Sequence, residues 1–87
     1  MSHEALQLVG KVLDSNGLPV GGATVMWVRG PVPLPDIALL TQADGSFVMS
    51  APVAGPYTLG CRRDPGGQAR VDVNVGPQGA PVTVHLV

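Results

Sequence analysis

Gly10-Lys11-Val12-Leu13-Asp14-Ser15-Asn16-Gly17-Leu18-Pro19-Val20-Gly21-Gly22-Ala23-Thr24-Val25 contains the end of one strand, a tight turn and the start of the next. Asn16-Gly17 is a hairpin signal, because a tight turn needs positive φ and these residues reach it cheaply. Pro19 fixes φ, Gly22 supplies a second turn, and Ala23 is small enough to let the following strand pack closely. Asp14 is placed to accept backbone N–H groups within the turn. Every residue with a marked preference in this stretch therefore has a role in folding a β-structure.

The same punctuation continues outward. The 12 Gly and 9 Pro of the 87 residues fall between short runs rich in Val and Leu, so they mark turns and not a disordered chain. Seven strands follow, at about Leu6–Leu13, Ala23–Arg29, Ile37–Thr41, Ser46–Ser50, Tyr57–Cys61, Arg70–Val75 and Pro81–Leu86, and no window supports a helix. Asp44-Gly45 is a second hairpin signal, between the third and fourth strands. Short strands at near-regular spacing predict an all-β, seven-stranded sandwich with sequential Greek-key-type connections. Size allows one core, so residues 1–87 read as a single domain with its body at about 6–87. Period-two alternation assigns its inner face to Leu8, Val12, Ala23, Val25, Trp27, Leu39, Phe47, Met49, Tyr57, Leu59, Val71, Val73, Val82, Val84 and Leu86.

Hydrophobic residues make up 45% of the chain and charged residues 13%, against about a quarter charged in an ordinary soluble domain. Because the apolar residues alternate and never form a membrane-length run, the excess implies a partly apolar outer surface. The net charge of −1 offers no general attraction to phosphate backbones. Arg62, Arg63 and Arg70 flank Asp64-Pro65-Gly66-Gly67, which carries its own counter-charge and reads as a solvated hairpin end. No nucleic acid and no membrane insertion are expected. Met1-Ser2-His3-Glu4 lacks the basic start and apolar stretch of a signal peptide, so the chain as written is expected in the cytoplasm, or outside the cell if it belongs to a longer exported protein. A single cysteine, Cys61, allows no internal disulfide.

Gly10 to Val25 has the form G-x-V-x-D-x-x-G-x-P-x-x-G-A-x-V and resembles the opening of carboxypeptidase regulatory-like domains, in the prealbumin-like (transthyretin-like) group of sandwiches. Thr41-Gln42-Ala43-Asp44-Gly45-Ser46-Phe47 is similar to that family's T-x-x-D-G-x-F segment, and Gly55-Pro56-Tyr57-Thr58-Leu59 to its G-x-Y-x-L strand. The resemblance spans most of the chain in the family's order. It implies a prealbumin-like sandwich and a non-catalytic module of the kind appended to peptidases, outer-membrane receptors, surface proteins and tail spikes, where such domains stiffen or dock.

Residues able to carry chemistry are sparse. His3 and His85 sit at opposite ends of the sequence, with no third ligand at metal-site spacing. Asp14, Ser15 and Asn16 are oxygen ligands of a calcium-loop kind, yet the further carboxylates and late Glu of such a loop are missing. A compact enzyme would need several of His85, Asp14, Asp44, Asp72 and Cys61 brought together. A hydroxyisourate hydrolase of the transthyretin type would end in Tyr-Arg-Gly-Ser, where this chain ends Val84-His85-Leu86-Val87. An isopeptide crosslink would need Lys11, the one lysine, inside the core, and it falls in the outward phase. No catalytic, cofactor or metal residue is assigned, and no cofactor is expected. Cys61 reads as a small buried hydrophobe whose pKa Arg62 and Arg63 are placed to lower.

What remains is the outward phase, where Val9, Leu13, Met26, Val28 and Val48 stand with only Lys11 and Thr24 as polar relief. They read as one adhesive face. Gly30-Pro31-Val32-Pro33-Leu34-Pro35-Asp36, with proline at every second position, is extended and either presents Val32 and Leu34 to a partner or forms a stiff crossover between sheets. The expected function is a structural or protein-interaction module that uses this face or a sheet edge and binds a protein partner or itself as a homo-oligomer. The alternative is a small-ligand or carbohydrate-binding module working through the loops around Pro31–Asp36 and Asp64–Gly67.

Overall fold

A computed structural model describes residues 6–34, 38–63, 66–77 and 81–87. Seven strands follow in order: β1 Leu6–Leu13, β2 Thr24–Arg29, β3 Ala38–Leu40, β4 Ser46–Ala51, β5 Gly55–Arg62, β6 Gln68–Val75 and β7 Val82–His85. No described segment is a helix long and apolar enough to cross a membrane. The expected strand start at Ile37, the residues Pro35, Asp36, Asp64 and Pro65, and the terminus holding His3 lie outside the described residues.

The strands form two sheets, one of three strands in the order β4-β1-β7 and one of four in the order β3-β2-β5-β6. All pairs are antiparallel except β1 with β7. Leu8, Val12, Phe47, Met49 and Val84 from the first sheet meet Val25, Tyr57, Leu59, Cys61 and Val75 from the second in one buried cluster. Trp27, Leu39, Val71, Val73 and Val82 pack against it half-buried. Val20, Ala51 and Val75 complete the core, although alternation did not select them. Gly10, in the middle strand of its sheet, makes room for the facing Phe47: a Cβ there would stand 2.3 Å from the ring.

Three expected connections are corrected by this topology. Asn16-Gly17 forms a turn, but not a hairpin between β1 and β2, which belong to different sheets. It folds the chain back on itself so that Leu13 bridges Pro19, while Asp14 Oδ1 accepts the N–H groups of Asn16 and Leu18 at 2.8 and 2.9 Å. Asp44-Gly45 likewise turns the chain from one sheet to the other. Gly45 has φ +82°, and a Cβ there would lie 2.6 Å from the Val12 carbonyl oxygen, so backbone conformation and close approach both require glycine. The proline-rich segment is not a crossover, because β2 and β3 pair within one sheet, Thr24 opposite Leu40. Turn residues specify a reversal; they do not specify which sheet the next strand joins.

The two sheet-switching connections after β1 and β3 are held by one side chain. Buried Thr41 donates its hydroxyl to the Val20 carbonyl at 2.6 Å and accepts the Ala23 N–H at 2.9 Å. At the other end, the Tyr57 hydroxyl donates to the Val53 carbonyl at 2.7 Å, and Trp27 Nε1 donates to the Ser50 carbonyl at 2.9 Å. The two rings lie 4.7 Å apart at 40°.

Candidate functional site

The chemistry-bearing side chains are dispersed. Asp14 is engaged in its own turn, where the Leu18 N–H in particular holds its carboxyl below the usual range. Asp44 is held low first by the Ser46 hydroxyl, which donates to it at 2.6 Å. Asp72 accepts from Thr58 Oγ1 at 2.9 Å across β5 and β6. His85 is exposed on β7 opposite Leu13. Cys61 points into the core, and burial pushes its thiol up to about 11. This departs from the expectation that Arg62 and Arg63 lower it, because alternation sends Arg62 to the solvent side while the thiol loses its hydration. Among the described residues no three His, Cys, Asp or Glu side chains gather as a metal group would require.

The outward apolar residues divide between two faces, since β1 and β4 lie in one sheet and β2 in the other. Val9 and Val48 are direct cross-strand partners, each 49% exposed, on the outer face of the three-stranded sheet. Leu13 is half-buried at the end of that sheet. Met26 and Val28 stand on the outer face of the four-stranded sheet. Val32 and Leu34 are half-buried in the connection after β2, and Leu34 packs against the core and not outward.

The four-stranded sheet carries the broader apolar surface. Leu40, 66% exposed, and Ala38 pair with Thr24 and Met26, and Val28 is 40% exposed beside them. Sequence reading passed over Leu40, although the inward assignment of Leu39 already sends its neighbour out. Register shifts between Trp27 and Arg29, and Val28 leans over Gly60, where a Cβ would meet its Cγ2 at 2.8 Å. The side chain missing at Gly60 borders a groove of about 450 Å³, whose lining includes Met26, Val28, Gly60, Arg62, Gln68 and Arg70. No buried side-chain nitrogen or oxygen among the described residues lacks a partner, so no unsatisfied polar group points into it.

Sheet edges are the other exposed feature, and three of the four are blunted. β3 has three residues and β7 four, too short to template a long ladder. On β4 the outward carbonyls of Ser46 and Ser50 are taken by the Gln42 N–H and the Trp27 indole, and the Ser46 N–H by Asp44. β6 is different: eight residues, no proline, and unbroken register with β5 from Gln68 to Val75. Gln68 exchanges both backbone groups with Val87, at 3.2 and 3.1 Å, so they point away from β5. Alternation along an antiparallel strand turns those of Arg70, Asp72 and Asn74 the same way. Asn74 accordingly faces Pro56, which has no N–H to offer.

The sequence matches no family model and no curated protein.

Proposed function

We propose that the chain is a non-catalytic protein-interaction module of the carboxypeptidase regulatory-like kind, with a prealbumin-like seven-stranded sandwich, that docks a protein partner on the outer face of its four-stranded sheet. The observation carrying this reading is the contiguous surface of Ala38, Leu40, Met26 and Val28 over Gly60, bordered by Arg62 and Arg70. Exposed apolar residues with arginines beside them match the composition of a protein interface. It also fits a lightly charged chain. A small-ligand site would instead require several polar groups converging inside an enclosed pocket, and among the described residues no unsatisfied polar side chain is buried against this groove.

The test is affinity capture from the native host lysate with three forms of the tagged chain: wild type, Met26→Glu with Leu40→Glu, and Val9→Glu with Val48→Glu. Each form is first checked for cooperative thermal unfolding. Proteins lost with the first pair and retained with the second support the four-stranded face. Equal recovery by all three removes it.

A further inference from the structure

We infer that the partner of the four-stranded face presents an acidic peptide segment: an apolar side chain lies over Met26 and Val28, and two carboxylates beside it take the guanidinium groups of Arg62 and Arg70. The inference rests on the reading of this face as a docking surface and names the chemistry of what docks there.

Strand register places the two arginines. On the outer face Arg62 of β5 stands between Thr24 of β2 and Gln68 of β6, and Arg70 of β6 stands opposite Gly60 of β5. Both are exposed, and both line the groove with Met26, Val28 and Gly60. Gly60 is two residues before Arg62, so the arginines are diagonal neighbours, about 7–8 Å apart along the sheet. Alternate residues of an extended chain point the same way about 7 Å apart. Acids at alternate positions of one segment therefore match the pair.

Neither arginine has an acid across the strands. Opposite charges on adjacent strands stabilise a sheet, but the cross-strand neighbours here are Thr24, Gln68 and Gly60. Asp72, the one acid among the described residues of this face, is two places along β6 from Arg70, and its Oδ1 accepts the Thr58 hydroxyl at 2.9 Å. Exposed Arg29, opposite Thr58, adds a third cation. Basic side chains elsewhere do have acids at hand. Asp44, held low first by the Ser46 hydroxyl, also lies near Lys11, and Asp14, held low first by the Leu18 N–H, also lies near Arg63. Among the described residues the face thus carries a positive excess, on a chain whose net charge is −1.

Desolvation decides which partner fits. A segment that covers Met26 and Val28 also takes water from the arginines beside them, and a guanidinium stripped of water without an acceptor is heavily penalised. A carboxylate meets it through two parallel N–H···O bonds. A neutral or basic segment leaves both guanidinium groups unanswered. A phosphate backbone is a poorer match, because its binding needs many cations in concert and gains nothing from Met26 and Val28.

The experiment is selection of a displayed library of random linear peptides on the tagged full chain, with affinities of the enriched peptides then read by fluorescence polarisation. Three variants are compared with wild type: Arg62→Gln with Arg70→Gln, Arg62→Lys with Arg70→Lys, and Met26→Ser with Val28→Ser, which removes apolar contact without adding charge. Each is first checked for cooperative thermal unfolding. Enriched peptides are expected to carry two acids close to an apolar residue and to bind the glutamine pair about tenfold or more weakly. The lysine pair is expected to lose less, and the serine pair to lose affinity without changing the salt dependence. Failure to enrich any peptide overturns the inference, as do enriched peptides without acids or peptides indifferent to either the glutamine or the serine pair. Peptides that tolerate the glutamine pair but are lost with the serine pair leave the docking face standing and remove only its acidic partner. Phosphatidylserine vesicles are the second probe: arginine-dependent co-sedimentation with them, without peptide enrichment, assigns the face to a lipid surface and likewise overturns the inference.

Discussion

Thr41→Val is the sharpest test of how this fold is held. Valine keeps the shape and the buried methyl of threonine, so the change opens no cavity, but it removes the hydroxyl that serves Val20 and Ala23 together. Both residues are buried, so the Val20 carbonyl and the Ala23 N–H lose their partner where water does not replace it. Each stranded backbone group costs about 1–3 kcal/mol, and two in one place are expected to remove about 2–4 kcal/mol after local relaxation. For a domain of this size the whole stability is about 4–13 kcal/mol, so the loss is a large fraction of it and lowers Tm by about 10–25 °C. Thr41→Ser keeps both bonds and loses one buried methyl, about 0.8 kcal/mol with a small further cavity cost. Urea unfolding followed by the fluorescence of Trp27, the one tryptophan, measures both variants. The order decides the matter: if the valine variant is as stable as the serine variant or more so, the hydroxyl clamp contributes nothing and the account of the two sheet-switching connections is wrong.

Two other predictions concern titration. Cys61, buried with its thiol near 11, is expected to resist iodoacetamide in the folded chain at neutral pH and to react at once in urea; equal rates in both states refute its burial. Asp14 and Asp44 both sit below the ordinary carboxylate range in the folded chain, so the stability they contribute is complete above about pH 4, the unfolded value, and is lost as pH falls through their folded values. Asp14→Asn, whose amide oxygen still accepts the turn N–H groups, is expected to flatten that acid loss, and an unchanged slope below pH 4 counts against the assignment.

Period-two alternation was legible because it is a local property of each strand: every residue assigned inward, from Leu8 to Leu86, is in the core or packed against it. What local pattern does not encode is the sheet to which a strand belongs. Asn16-Gly17 and Asp44-Gly45 carry the residues of hairpin turns, yet each hands the chain to the opposite sheet, because the glycine fixes only the local backbone while packing of the core decides the destination. The same blindness joined Val9 and Val48 to Met26 and Val28 as one face, although they lie on opposite sides of the sandwich. Thr41 was invisible for another reason. A threonine beside a strand end looks like a β-former, and its two bonds reach residues some twenty positions earlier.

The division of the apolar residues between two faces also changes what a low charge means here. Val9 and Val48 form a small island edged by Gln7, Lys11, Ser46 and Ser50, and isolated exposed apolar residues are ordinary on protein surfaces. On the four-stranded sheet the apolar residues adjoin across β3, β2 and β5, and the bare edge β6 borders the same sheet.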